Sequence, residues 1–329
     1  MNAGRALLAF VLLAAGSGTI FAQDLGALYS EAELRDSASR YSDNLRGLWR
    51  EDLLSRLTSN ELAGAQRIAL ELPLIGHNRN PFEFYSQSQT QRVVSPIMSV
   101  RFLDDLSIAF AYFDRNRCDA GVVLDYVGSL RYGRGPVRPP LVALGISRKE
   151  ALADDYVDDV SGKTFKSAVY FILAHEYAHV FYRHAGVGTI GAKQSQDQEI
   201  AADSFALDVM RRIGVAPLGL VFYFAALSRF ERAPSEFRSP AEYESAVRER
   251  ATHPLSSARL LRLAEGIDRD AKSFARLQAN PDAWIPRIRD MAAQIATSAR
   301  NLDDRDMREF LALRSRSVSA AELRQACTR

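Results

Sequence analysis

Phe165-Lys166-Ser167-Ala168-Val169-Tyr170-Phe171-Ile172-Leu173-Ala174-His175-Glu176-Tyr177-Ala178-His179-Val180 is the stretch on which the fold turns. Phe165, Ala168, Val169, Phe171, Ile172, Ala174, Ala178 and Val180 recur with helical period, so a packed helix is expected from Thr164 to about His184, with Gly186 near its stop. Two histidines in this apolar setting need a reason. Residues four apart share a helix face, so His175 and His179 can turn ring nitrogens toward one metal ion. Glu176 is offset by about 100° from His175, beside the ion rather than on it, where a base takes a proton from water. Zinc suits nitrogen and oxygen donors with a fourth position left open, and it brings the pKa of bound water toward neutrality.

Such a site needs a third ligand, and Glu199-Ile200-Ala201-Ala202-Asp203 puts two carboxylates one helical turn apart. Glu199 completes a two-histidine, one-glutamate set, leaving Asp203 to accept the ring N–H of a ligating histidine. The reverse assignment, Asp203 as ligand and Glu199 as helix cap, stays open at this point. Ala201 and Ala202 allow close approach to the histidine helix. The second helix is expected over about Gln198 to Arg212, stopped by Gly214. The polar loop between the two, Ala185 to Asp197, has the glycines of a hinged lid.

These residues resemble the M48-type zinc metallopeptidases: His175 to His179, a further His184, Glu199 with Asp203, and Thr252-His253-Pro254 followed by Arg259. The resemblance spans residues 164 to 262. It implies an α+β fold, predominantly α-helical, with zincin-like catalytic helices and a small β-sheet. It further implies a gluzincin site with His175, His179 and Glu199 on Zn2+, Asp203 behind them, and catalytic roles for Glu176 and His253. The activity it implies is zinc-dependent endopeptidase cleavage of a peptide or protein substrate. On its own residues His253 reads equally as transition-state stabiliser or as part of a capping turn. His184, nine residues after His175, points off the ligand line and reads as a hydrogen-bonding residue. Tyr177 and Tyr182 read as packing, and His77 as a surface residue. Two other functions stay open: a silent, zinc-stabilised chaperone or assembly factor, and a zinc amidase acting on a non-peptide substrate.

The rest of the chain sets the context. Among 329 residues the net charge is only +2, which gives no reason to expect nucleic acid as a partner. Arg5 followed by the apolar run Ala6 to Ala15 and small residues up to Ala22 reads as a signal peptide over 1–22, which places the protein in the periplasm or outside the cell. An uncleaved anchor is the alternative; with cleavage, no membrane span remains. Only two cysteines, Cys118 and Cys327, are present, so a metal site must rest on histidine and carboxylate, and an oxidising compartment would let the two pair. The expected organisation is a mixed α/β region over 23–160, the metallopeptidase core over 161–265 and a helical region over 266–329. Residues 28 to 64 read as helical, Arg67 to Leu74 as strand-like and Met98 to Phe113 as a buried helix. Val122 to Leu130 reads as a strand, which would spread the sheet over residues 66 to 130. An edge strand of that sheet could align an extended peptide. The acidic run Asp154 to Asp159 lacks the pattern of a calcium loop and reads as a solvated, helix-capping segment. Leu218 to Leu227 is an apolar helix too short to span a bilayer, and the chain beyond Pro254 is helical with a break at Asn280-Pro281.

Overall fold

The computed structural model describes residues 24–65, 67–133, 135–186, 189–230, 232, 236–250 and 255–327. The chain enters through α1 (Glu31–Gly47), whose Ser30 and Glu33 form a capping box, and passes through a π turn and a 3-10 turn into α2 (Ser59–Ala65). Three short strands follow: β1 (Ala69–Glu71), β2 (Tyr85–Gln87) and β3 (Arg92–Val94). Their order is β1-β3-β2, with β3 parallel to β1 and antiparallel to β2. This arrangement leaves β2 at one edge. The protein is predominantly helical with one small sheet, as the sequence implied, but the sheet ends at Val94.

After the sheet come α3 (Ile97–Arg115), α4 (Gly121–Tyr132), α5 (Pro140–Ala143) and α6 (Arg148–Ala151). The expected strand at Val122 to Leu130 is therefore α4. Its buried residues Val123, Tyr126, Val127 and Leu130 fall at helical spacing, and burial of that face outweighs the strand preference of paired valines.

The centre of the molecule is α7 (Asp155–Phe181), packed by α3, by α8 (Ala192–Ile213) and by α9 (Leu218–Phe230). This helix starts nine residues before the expected Thr164. Asp154 caps it by accepting from the amides of Tyr156 and Val157 at 3.0 and 3.2 Å, and Asp155 and Asp158 favour its positive end. The acidic run is thus a cap, as its pattern suggested. From Thr164 onward the helix is buried almost all round, which is why the periodic signal began there. Helix α9 approaches it closely at Gly219, whose N–H donates to Ser167 Oγ at 2.6 Å, and a Cβ there would sit 2.1 Å from the Thr164 carbonyl oxygen.

The second site helix begins at Ala192, six residues earlier than Gln198, and the lid-like loop is shortened accordingly. Its first turns are polar but good helix formers, with a Lys193–Asp197 pair one turn apart at 2.8 Å. Gly214 ends it in the left-handed conformation, φ 81°, as expected. Helices α10 (Pro240–Arg250), α11 (Ser257–Arg269), α12 (Ala271–Ala275), α13 (Pro281–Asp303), α14 (Arg305–Ser317) and α15 (Ala320–Gln325) complete the chain, with Asn280 capping α13 at the expected break. Helix α13 packs on α9, α11 and α12, and α14 packs on α4. Cys118 and Cys327, 209 positions apart in the chain, are joined in a disulfide that ties the last helix to the loop before α4. Among the described residues no helix is long and apolar enough to cross a membrane.

Candidate metal centre

Helix α7 brings His175, Glu176 and His179 into the protein interior at 3%, 2% and 7% exposure, and Phe171 stacks beneath the His175 ring. Helix α8 lies against α7, its fully buried Ala202 at the contact, and carries Glu199 and Asp203 inward as well. The ligand atoms of His175, His179 and Glu199 all lie within 4.8 Å of one another. The two Nε2 atoms are 3.0 Å apart, and each lies 3.4 Å from one of the Glu199 oxygens. A tetrahedral ion bound at about 2.0–2.1 Å sets its ligand atoms about 3.3 Å apart, close to this spacing. The charge fits too. Three buried carboxylates, Glu176, Glu199 and Asp203, are accompanied by one guanidinium, so with neutral imidazoles the formal excess is that of a divalent cation's counter-charge.

The structure also separates the roles of Glu199 and Asp203. Asp203 Oδ1 lies 2.9 Å from His175 Nδ1, so an N–H there leaves Nε2 with its lone pair toward the cluster. Burial by itself would lower the His175 pKa, yet the Asp203 and Glu199 carboxylates outweigh it and hold the ring above its ordinary value without a metal. Burial likewise opposes ionisation of Asp203, but Arg259 and His175 prevail and keep its carboxyl below the usual range.

Arg259 is the group that composition and spacing left without a role. It sits in the first turn of α11, 4% exposed. Its Nε and Nη2 donate to the two Asp203 oxygens at 2.6 and 2.8 Å, and Nη1 lies 2.9 Å from Glu199 Oε2. One guanidinium thereby fixes both inward carboxylates, Glu199 and Asp203. The signal available in the sequence was its place after His253-Pro254. His253 itself lies outside the described residues.

His184 also has a place. Helix α7 ends in a Schellman turn: Arg183 N–H donates to Val180 O at 3.1 Å and His184 N–H to His179 O at 2.9 Å. Arg183 occupies the left-handed position, φ 54°, where glycine is the preferred residue and a side chain costs about 1 kcal/mol. The helix thus stops before Gly186, and the turn returns His184 to the ligand line, its Nδ1 2.9 Å from His179 Nδ1. Burial pulls the His184 pKa down, so the neutral ring can accept an N–H from His179. Tyr177 is fully buried and donates to Glu61 O at 2.7 Å, a packing role as expected, and His77 is exposed.

The centre opens onto a cleft of about 870 Å³. All three residues of β2 and the turn Ser88 to Gln91 form one wall, and residues 183 to 186 with Ile190, Ser195 and Gln198 form the other. Ser88 Oγ donates to the His179 carbonyl at 3.2 Å, which fastens the β2–β3 turn to the end of α7. Opposite, the Gln198 carboxamide brackets Ala185, donating to its carbonyl at 3.2 Å and accepting from its N–H at 3.1 Å.

Residues 145–279 match the Peptidase U49 family. The match covers about two fifths of the chain, from just before α6 to just before α13, and includes every residue of the cluster. It suggests a peptidase family, and that family is not the expected M48 one. The reason is chemical: a two-histidine helix, a glutamate and a supporting aspartate solve the same coordination problem in unrelated peptidases, so they mark the site more than the family. No curated protein and no solved structure matches the chain.

Proposed function

We propose that this protein is an exported zinc-dependent metalloendopeptidase. The observation that carries the reading is the convergence of His175, His179 and Glu199, from two packed helices, at the base of a cleft bordered by a sheet edge. His175, His179 and Glu199 would hold the ion. Zinc, when bound there, supplies Lewis acidity toward the scissile carbonyl and toward water. Glu176 takes the proton of the attacking water and returns it to the departing amine. Asp203 orients His175, Arg259 holds Asp203 and Glu199, and His184 orients His179. His253 keeps the role that the sequence suggests, stabilising the developing negative charge. An extended peptide would add its backbone to the edge of β2 and cross the centre in a defined direction.

Export is supported by the N-terminal signal-like segment and by the Cys118–Cys327 pair, which suits an oxidising periplasm or exterior. A silent, metal-stabilised module has no use for a buried Glu176 beside the ligands. The test is metal analysis of wild type and Glu176→Gln, followed by mass-spectrometric scoring of a peptide library. Zinc in both with cleavage lost by about 10³-fold in the variant is expected. Equal cleavage by the two proteins, or no zinc in either, would sink the proposal.

A further inference from the structure

Arg183 stands in a place that backbone sterics would give to glycine, and it lines the cleft one turn beyond His179. Of the four non-glycine residues with positive φ among the described residues, two, Gln91 and Arg183, line this cleft. Arg183 is exposed and makes no ion pair among the described residues, whereas both arginines of α8 are paired, Arg211 with Asp208 and Arg212 with Glu61. The opposite wall runs Ser86-Gln87-Ser88-Gln89-Thr90-Gln91, polar throughout and without charge. The other charged lining residue is Glu199, whose carboxylate is held by Arg259 at 2.9 Å. Among the described lining residues Arg183 is therefore the one available cation, its backbone fixed to the end of the ligand helix by the hydrogen bond from His184 N–H to His179 O.

We propose that Arg183 is the specificity residue of the cleft, selecting peptides with a carboxylate within about three residues of the bond to be cut. The inference rests on the peptidase reading and names the substrate class of that site. A guanidinium pairs a carboxylate through two parallel N–H···O bonds, and the uncharged opposite wall neither repels nor neutralises the incoming anion. From His179 to Arg183 the helix advances about 6 Å, roughly the span of two extended residues, which sets the reach. The same chemistry is offered by an Asp or Glu side chain and by a chain's terminal carboxylate. Lysine or arginine at that place would be repelled. The strained backbone is retained because glycine, though easier to accommodate, would leave the cleft without its cation.

The test uses matched fluorogenic peptides carrying Asp or Asn, and Glu or Gln, at each of three positions on either side of the scissile bond. Each is made with a free and with an amidated C-terminus. Wild type is expected to cleave the best acidic peptide about tenfold faster in kcat/KM than its amide partner, with the margin shrinking in 0.5 M salt. In Arg183→Gln the ratio should fall to about one, and in Arg183→Glu a Lys-containing peptide should overtake the acidic one. A preference that tracks only the free C-terminus assigns the carboxylate to the chain end, and one that survives amidation assigns it to a side chain. Arg183→Gly should melt about 2 °C higher while losing the same preference, a combination that a structural role does not produce. Binding of the same peptides to Glu176→Gln by fluorescence anisotropy separates the two readings. If wild type cleaves nothing but Glu176→Gln still binds acidic peptides about tenfold better through Arg183, the peptidase reading fails and this inference stands. Equal acid-to-amide ratios in wild type and Arg183→Gln, or binding of neither peptide, overturn it.

Discussion

Two buried charged clusters, one centred on α3 and one between α7 and α8, are built to opposite ends. Under α3, Asp104 and Asp105 meet Arg148, and Asp105 also accepts from Arg101 Nε at 3.0 Å and from Tyr29 Oη at 2.9 Å. Tyr41 donates to Asp104, and Arg101 reaches Ser37 Oγ at 3.0 Å. Two carboxylates face two guanidiniums, with phenols on the remaining lone pairs. Nothing is left over, and the cluster joins α1, α3 and α6 as a structural lock. The candidate metal centre has the same ingredients in a different ratio: one guanidinium, three carboxylates, and two imidazole nitrogens converging on one point. A surplus of donors opening onto a cleft marks a binding centre, and saturation marks scaffolding.

Breaking the lock should give the larger stability effect. Arg148→Ala leaves two buried carboxylates short of a counter-charge and is expected to cost about 3 kcal/mol, since Arg101 still serves Asp105. Thermal unfolding should show it as a loss of several degrees, while zinc affinity stays near wild type. A change in zinc affinity as large as the change in stability would mean that the clusters are not independent.

The candidate metal centre should respond the other way. Asp203→Asn replaces the charged acceptor on His175 Nδ1 with a neutral amide and breaks the two-nitrogen grip of Arg259, and should weaken zinc by about 100-fold in competition with a chromogenic chelator. His184→Ala removes the corresponding partner of His179, but from a half-buried position, and should cost about tenfold. If His184→Ala cost more than Asp203→Asn, the ranking of the two supporting contacts would be reversed.

The smallest expected effect is on the acid side of the stability profile of the chelated protein. Burial raises the Asp105 pKa despite Arg101 and Arg148, whereas Asp203 is held below its ordinary value. A raised carboxylate favours the fold while protonated, so stability linked to Asp105 declines as pH rises from about 4 through its folded pKa. A depressed one favours the fold while ionised, so stability linked to Asp203 is present above about 4 and lost as pH falls through its folded pKa. Asp105→Asn should therefore flatten the profile above pH 4, and Asp203→Asn should flatten it below. Identical changes in the two melting profiles would remove the distinction between the clusters.

How much of this was legible in the chain varies with the range of the interactions involved. His175, Glu176 and His179 were readable because a helix of fixed pitch converts spacing into direction, and Glu199 with Asp203 for the same reason. Val122 to Leu130 misled because β-branched residues suit either structure until the buried face is known. The early starts of α7 and α8 were hidden because solvated first turns carry no apolar period, and only the Asp154 cap hinted at one of them. Arg259 stood in view, but its partners lie 56 and 60 positions away in the chain, beyond any local pattern.

The amino-acid sequence by itself determined the local chemistry: a histidine helix, an acidic helix, and the caps and stops that bound them. Helical geometry is a short-range property, and short-range properties follow from spacing. Only the tertiary structure decided which acidic residue faces the histidine cluster and which supports it. It also decided that Arg259 secures both, that a left-handed Arg183 returns His184 to His179, and that β2 borders the cleft. Each of these depends on how packed helices are rotated about their axes, which is set by burial of many side chains at once.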